Sequence, residues 1–138
     1  MKARVAAILF AFLFLAPPLT AQERTDDTCQ TLLLRRKRLK QVPSEVWQRP
    51  GLTVLDLSKN PLTELPDSIA RLELTQLLLQ RTYITEFPSS VAHSPLAASL
   101  KLLDMRGCRL TEGQQEAIRE LLPDTKILWD MPCECGAD

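Results

Sequence analysis

Apolar residues return along this chain in a fixed order. One unit runs Leu52, Leu55, Leu57, Asn60, Leu62, Leu65, Pro66, Ile69 and Leu72. An earlier one runs Cys29, Leu32, Leu34, Leu39, Val42, Pro43 and Val46, and a later one Leu74, Leu77, Leu79, Thr82, Ile84, Phe87, Pro88 and Val91. The pattern comes back as Leu100, Leu103, Met105, Cys108 and Leu110. With Leu32, Leu55, Leu77 and Leu103 as equivalents, the steps are 23, 22 and 26 residues. A fixed period between about 20 and 29 residues predicts a solenoid. One such unit buries its apolar face only against copies of itself.

Inside the second unit, Leu55 and Leu57 alternate with Asp56, the period of a half-buried strand. Asn60-Pro61 predicts a turn after it. The amide of Asn60 suits that corner, because it bonds backbone groups that have left the ladder. Leu62, Leu65 and Ile69 then face inward again, and Pro66 fits the first position of a short helical or 3₁₀ turn. The extra residues of the third unit, around Ala92-His93-Ser94-Pro95, predict a bulge on the side away from the strands.

The last unit changes character. Thr111-Glu112-Gly113-Gln114 matches a capping box, Ala117, Ile118, Leu121 and Leu122 make one helical face, and Pro123 ends it. Ile127 and Trp129 follow Leu103 and Met105 by 24 residues each, which predicts a partial fifth strand over Lys126–Trp129. Trp129 would then cover the open end of the core, as a terminal cap must.

The order Leu52-x-x-Leu55-x-Leu57-x-x-Asn60-x-Leu62 resembles the signature of leucine-rich-repeat proteins. Leu62-x-x-Leu65-Pro66-x-x-Ile69 is similar to the repeat subtype common in bacteria and plants. The resemblance covers Cys29 to Trp129. It implies an α/β solenoid: a short arc of about four repeats with parallel strands on its concave side and a C-terminal helix–strand cap. It also implies a non-enzymatic protein–protein interaction module. Family members usually carry Asn at every corner, whereas three corners here are Lys37, Thr82 and Cys108, which implies weaker corner bonding.

In that fold the strand residues between the leucines face the concave side. They are Thr31, Leu33, Arg35 and Arg36, then Val54, Asp56, Ser58 and Lys59, then Gln76, Leu78, Gln80 and Arg81, then Leu102, Asp104, Arg106 and Gly107. Stacking sets Arg36, Lys59 and Arg81 in one column with Arg35 and Arg106 beside it. Leu33, Asp56, Leu78 and Asp104 make a second column. The return side carries Glu45, Glu64, Asp67 and Glu86. The chain is neutral in total, with 17 basic and 17 acidic residues, yet this arrangement separates its charges. Arg35, Arg36, Asp56, Lys59, Leu78, Arg81, Asp104 and Arg106 are therefore the candidate partner-binding residues. Arg forks onto carboxylates, so the expected partner is an acidic protein, or a glycan. Arg and Lys on exposed strands also discourage sheet aggregation without any partner. Nucleic acid is not expected, because basic residues mixed with aspartates make a poor phosphate track and few aromatics are present to stack bases.

Residues 1–21 read as a secretory signal peptide. Lys2 and Arg4 precede the apolar run Val5–Ala16, Pro17-Pro18 break it, and Ala21 ends the segment. The run is shorter than the roughly 20 residues of a membrane span, so no stable span is expected after cleavage. The organisation expected is a leader (1–21), a short polar segment (22–28), the repeat domain (29–129) and a Cys-containing tail (130–138), in a secreted, periplasmic or cell-envelope protein.

An exported chain permits disulfides. Cys29 and Cys108 lie three repeats apart, or about 14 Å at the usual strand spacing, beyond the roughly 7 Å that a bridge allows. Cys133 falls one repeat after Cys108, so Cys108 with Cys133 is the preferred bridge and Cys108 with Cys135 the alternate. Cys133-Glu134-Cys135 alternatively reads as a thiol/redox or metal-linked tail. Two such ligands do not close a zinc site, which takes four, and His93, the only histidine, sits in a loop. No nucleophile–base pair or Gly-rich phosphate loop appears, so no catalytic residue, metal or cofactor is assigned.

Overall fold

The computed structural model describes residues 30–130. The leader, the polar segment, Cys29, Cys133 and Cys135 lie outside the described residues. Five parallel strands stack in chain order: β1 (Gln30–Leu33), β2 (Leu52–Asp56), β3 (Gln76–Leu78), β4 (Leu102–Asp104) and β5 (Lys126–Leu128). Leu32, Leu55, Leu77, Leu103 and Ile127 pair across neighbouring strands, so the repeat alignment read from the leucines is the hydrogen-bonded register. One irregularity interrupts it, between Gln30 and Thr31.

The alternation of strand residues produces the core. Leu55, Leu57, Leu77, Leu79 and Leu103 are fully buried, and Met105 nearly so. The return segments close the other side with Val46, Leu62, Ile69, Ile84 and Val91, also fully buried. Each of the first three returns makes a 3₁₀ turn: Ser44–Val46, Asp67–Arg71 and Ser89–Val91. Pro43, Pro66 and Pro88 stand just before these turns in extended backbone, and their carbonyls accept from Val46, Ile69 and Val91 at 3.0–3.2 Å. The proline is thus one position earlier than the sequence suggested. Its lack of an N–H leaves no unpaired donor at the turn entry.

The extra residues of the third repeat form a one-turn helix, α1 (Pro95–Ser99), in place of the expected bulge. Ser94 caps it by accepting the Ala97 N–H, and Leu96 is buried beneath it. The final helix, α2 (Glu112–Leu121), carries the capping box read from the sequence. Thr111 Oγ1 accepts from the Gln114 N–H at 3.3 Å, and Gln114 Oε1 accepts from the Thr111 N–H at 2.9 Å. Ile118 and Leu122 are the buried members of its apolar face, whereas Ala117 is exposed. Trp129 packs against the core at the open end, with the Arg119 guanidinium 5.8 Å from its ring centre.

Candidate functional site

The strand ladder runs on past the strands into the turns. The Arg36 N–H donates to Ser58 O, the Lys59 N–H to Gln80 O and the Arg81 N–H to Arg106 O, at 2.7–3.2 Å. These bonds hold Arg36, Lys59, Arg81 and Gly107 in equivalent places along the edge where the chain leaves the sheet. All four take left-handed backbone, with φ of 59°, 58°, 54° and 80°. That region suits glycine and hinders a residue with a Cβ. Arg38 and Arg109, two residues further on in the first and fourth repeats, also have positive φ, 56° and 51°.

The corner beneath this edge is held by side chains. Asn60 is buried, and its Nδ2 donates to the Leu34 and Leu57 carbonyls at 2.8 Å each. Its Oδ1 accepts from the Lys37 and Leu39 N–H groups at 2.9 and 3.2 Å. Thr82 and Cys108 do less: the Thr82 hydroxyl donates to Leu79 O at 2.9 Å and the Cys108 thiol to the same carbonyl at 3.1 Å. Cys108 is here a free buried thiol, and Cys133 and Cys135, the partners expected for it, lie outside the described residues.

The expected columns are present, but their members differ in availability. The pairing of Leu33 with Asp56, Asp56 with Leu78 and Leu78 with Asp104 reproduces the mixed column. Leu33 is 63% exposed, whereas Leu78, one of the candidate partner-binding residues, is half-buried. Asp56 and Asp104 are buried rather than displayed. Asp56 Oδ1 accepts from the Ser58 N–H at 2.9 Å. Asp104 accepts from Gln80 and from both Arg106 Nε (3.0 Å) and Nη2 (2.7 Å). Burial pushes the Asp104 carboxyl up, but the hydrogen bonds from Arg106 and Gln80 outweigh it and hold the group below the ordinary aspartate range. Arg106, expected in the open basic set, is thus engaged with Asp104.

Arg35, Arg36 and Arg81 are exposed and Lys59 is half-exposed. Arg36 above all, then desolvation, Arg35 and Arg81, lower the Lys59 pKa from its usual value. Like charges therefore crowd this edge. Glu45, Glu64, Asp67 and Glu86 are exposed on the return side, as the sequence suggested. Among the described residues no group of three or more His, Cys, Asp or Glu is placed to hold a metal ion. Nor is any helix among them long and apolar enough to cross a membrane. Tyr83, 67% exposed, went unassigned in the sequence reading, as did Arg38 and Arg109. Their signal was the position following each corner residue, which aligns Arg38, Pro61, Tyr83 and Arg109 once the repeats are superposed.

Parallel strands joined by short returns, leucine layers and an asparagine corner define a solenoid of the leucine-rich-repeat class. The leucine-rich-repeat family model matches residues 51–72 and 99–121. Over 98 residues, 71% of this chain, the sequence is 36% identical to a probable disease resistance protein of Arabidopsis thaliana, 5% of which is covered. A solved leucine-rich-repeat protein of Leptospira interrogans matches with a TM-score of 0.59 and 30% identity, over 66% of this chain and 23% of that one. The chain belongs to the leucine-rich-repeat proteins. It spans only a small part of the length of either relative. Proteins of this family typically mediate protein–protein interaction and are generally not enzymes.

Proposed function

We propose that this protein is an exported, non-enzymatic binding module that docks an acidic protein partner on its concave strand face and the adjoining basic edge. The observation that carries the reading is the register. It gathers Arg36, Lys59 and Arg81 into one column of a chain whose total charge is zero. The crowding that lowers the Lys59 pKa gives the same column a standing attraction for anions. A rigid strand stack presents that charge with little conformational entropy to lose on binding. Export follows the leader pattern of residues 1–21 and places the partner in the periplasm, the cell envelope or the medium.

The test is capture from envelope and secreted extract, with the native surface beside the variant Arg36→Glu/Lys59→Glu/Arg81→Glu. A partner retained by the first and lost by the second, at equal circular dichroism, supports the site. A partner held equally by both moves the site to the return side or the tail. N-terminal sequencing of the exported protein checks the leader, with Gln22 the expected first residue.

A further inference from the structure

The four repeats repeat the same turn, which allows an internal comparison. Where the chain turns away from the sheet, the fourth repeat uses Gly107, the residue that left-handed backbone favours. The other three use Arg36, Lys59 and Arg81 in the same conformation. The turn therefore does not require a cation, and the backbone disfavours any residue with a Cβ there. A second left-handed position occurs in the first and fourth repeats, and both times it holds arginine, Arg38 and Arg109. Five cationic side chains thus stand in sterically disfavoured backbone along one edge, and one of them, Lys59, feels the like charges of Arg36 and Arg81. Backbone outliers of this kind gather where function holds them.

The edge is also built in other respects. A Cβ on Gly107 would lie 2.7 Å from Arg81 Cγ, so the bare glycine makes room for the Arg81 stem. Asp130 accepts the Gly107 N–H at 2.6 Å and closes the C-terminal end. On the strand face itself the charge is largely answered from within: Arg106 is paired with Asp104. Among the described residues no ion pair engages Arg36, Arg38, Lys59, Arg81 or Arg109, and the same edge carries the exposed ring of Tyr83.

We infer that this turn rim, with Arg36, Arg38, Lys59, Arg81 and Arg109 around Tyr83, is the gripping part of the surface, and that it takes an extended acidic stretch of polypeptide laid across the strands. The inference rests on the acidic-partner reading above and narrows it. Four repeats at about 4.8 Å per strand span roughly 14 Å, which about five extended residues cover. Four of the five cations are arginine, whose planar fork pairs with carboxylates in two parallel hydrogen bonds. A lone tyrosine offers one apolar anchor of the type that dominates protein interfaces. It is too few rings to stack a nucleic-acid strand.

The test measures fluorescence anisotropy of a labelled hexaglutamate peptide with the purified protein at low salt. Binding is expected, and Arg36→Gln/Arg38→Gln/Arg81→Gln/Arg109→Gln should raise Kd at least about tenfold, as summed exposed ion pairs allow. Tyr83→Ala should raise it roughly threefold. Each replacement keeps a Cβ, so circular dichroism and the melting temperature should hold. The control Lys40→Gln/Arg49→Gln/Arg71→Gln/Lys101→Gln removes the same charge elsewhere on the surface. Equal weakening by the control, no binding of the peptide, or tighter binding of a heparin octasaccharide or an oligothymidylate overturns the inference. With a captured natural partner, Arg38→Gln/Tyr83→Ala/Arg109→Gln separates the two readings. If it has no effect while the Arg36/Lys59/Arg81 reversal abolishes capture, the rim fails and the concave-face reading stands. If neither variant has an effect, both fail.

Discussion

Asn60 is the single side chain whose loss should be felt furthest. It is 2% exposed and makes four bonds of 2.8–3.2 Å to Leu34 O, Leu57 O, Lys37 N and Leu39 N. Three of those partners belong to the first repeat, so the amide ties two repeats together. Asn60→Ala removes four hydrogen bonds worth about 1 kcal/mol each in net terms. Water reaches the partly exposed amides of Lys37 and Leu39 and softens the loss, which leaves a destabilisation of about 3 kcal/mol. At roughly 4–8 °C per kcal/mol for a domain of this size, the melting temperature should fall by about 12–24 °C. Thr82→Ala is the internal reference: it removes one bond to a carbonyl and should cost about 1 kcal/mol. Asn60→Asp keeps the two accepted bonds but turns an oxygen toward the Leu34 and Leu57 carbonyls, so at neutral pH it should fall at least as far as Ala. Urea titrations followed by circular dichroism would measure all three. Loss in Asn60→Ala no greater than in Thr82→Ala would refute the reasoning, because it would mean that the corner amide does not couple the repeats.

Three further outcomes are expected. Leu79→Ala opens a cavity in a fully buried layer and should destabilise by about 2–5 kcal/mol; a loss under 1 kcal/mol in the urea midpoint would mean the stack collapses around the gap. The Asp104 carboxyl, held below its unfolded value of 3.8, adds stability that is complete above that pH and lost as pH falls through the lower folded value. Arg106→Gln should therefore lower stability at pH 7, with the gap to the parent narrowing as the urea midpoint is followed down through pH 3.8, and a gap unchanged at pH 2 would contradict this. Cys108, buried and donating to Leu79 O, should resist a thiol reagent in the native state and react in urea without reductant; a Cys108–Cys133 or Cys108–Cys135 peptide found by mass spectrometry would sink it.

Much of this architecture was legible in the order of residues because its causes are local and periodic. Leu32, Leu55, Leu77 and Leu103 recur because every unit faces the same neighbour, and the register that pairs them is the one their spacing predicts. The capping box at Thr111 and Gln114 lies within a single turn of chain, so it too could be read directly. The length of the third step announced extra residues but not their shape, since a bulge and the one-turn helix Pro95–Ser99 use the same number.

The sequence by itself determined the solenoid, its capped end and the alignment that collects Arg36, Lys59 and Arg81. Only the tertiary structure decided which of those charges are free. Asp56 and Asp104 alternate with leucines as surface residues do, yet they are buried in the stack; Ser58 and Arg106 bond them from within their own turns, and Gln80 reaches Asp104 from the preceding repeat. Nor does arginine or lysine announce left-handed backbone, which local preference assigns to glycine or asparagine. The ladder bonds from Arg36, Lys59 and Arg81 to the following repeat hold that conformation. A repeat period is carried by each unit alone, whereas burial and backbone strain arise only when one unit is laid against the next.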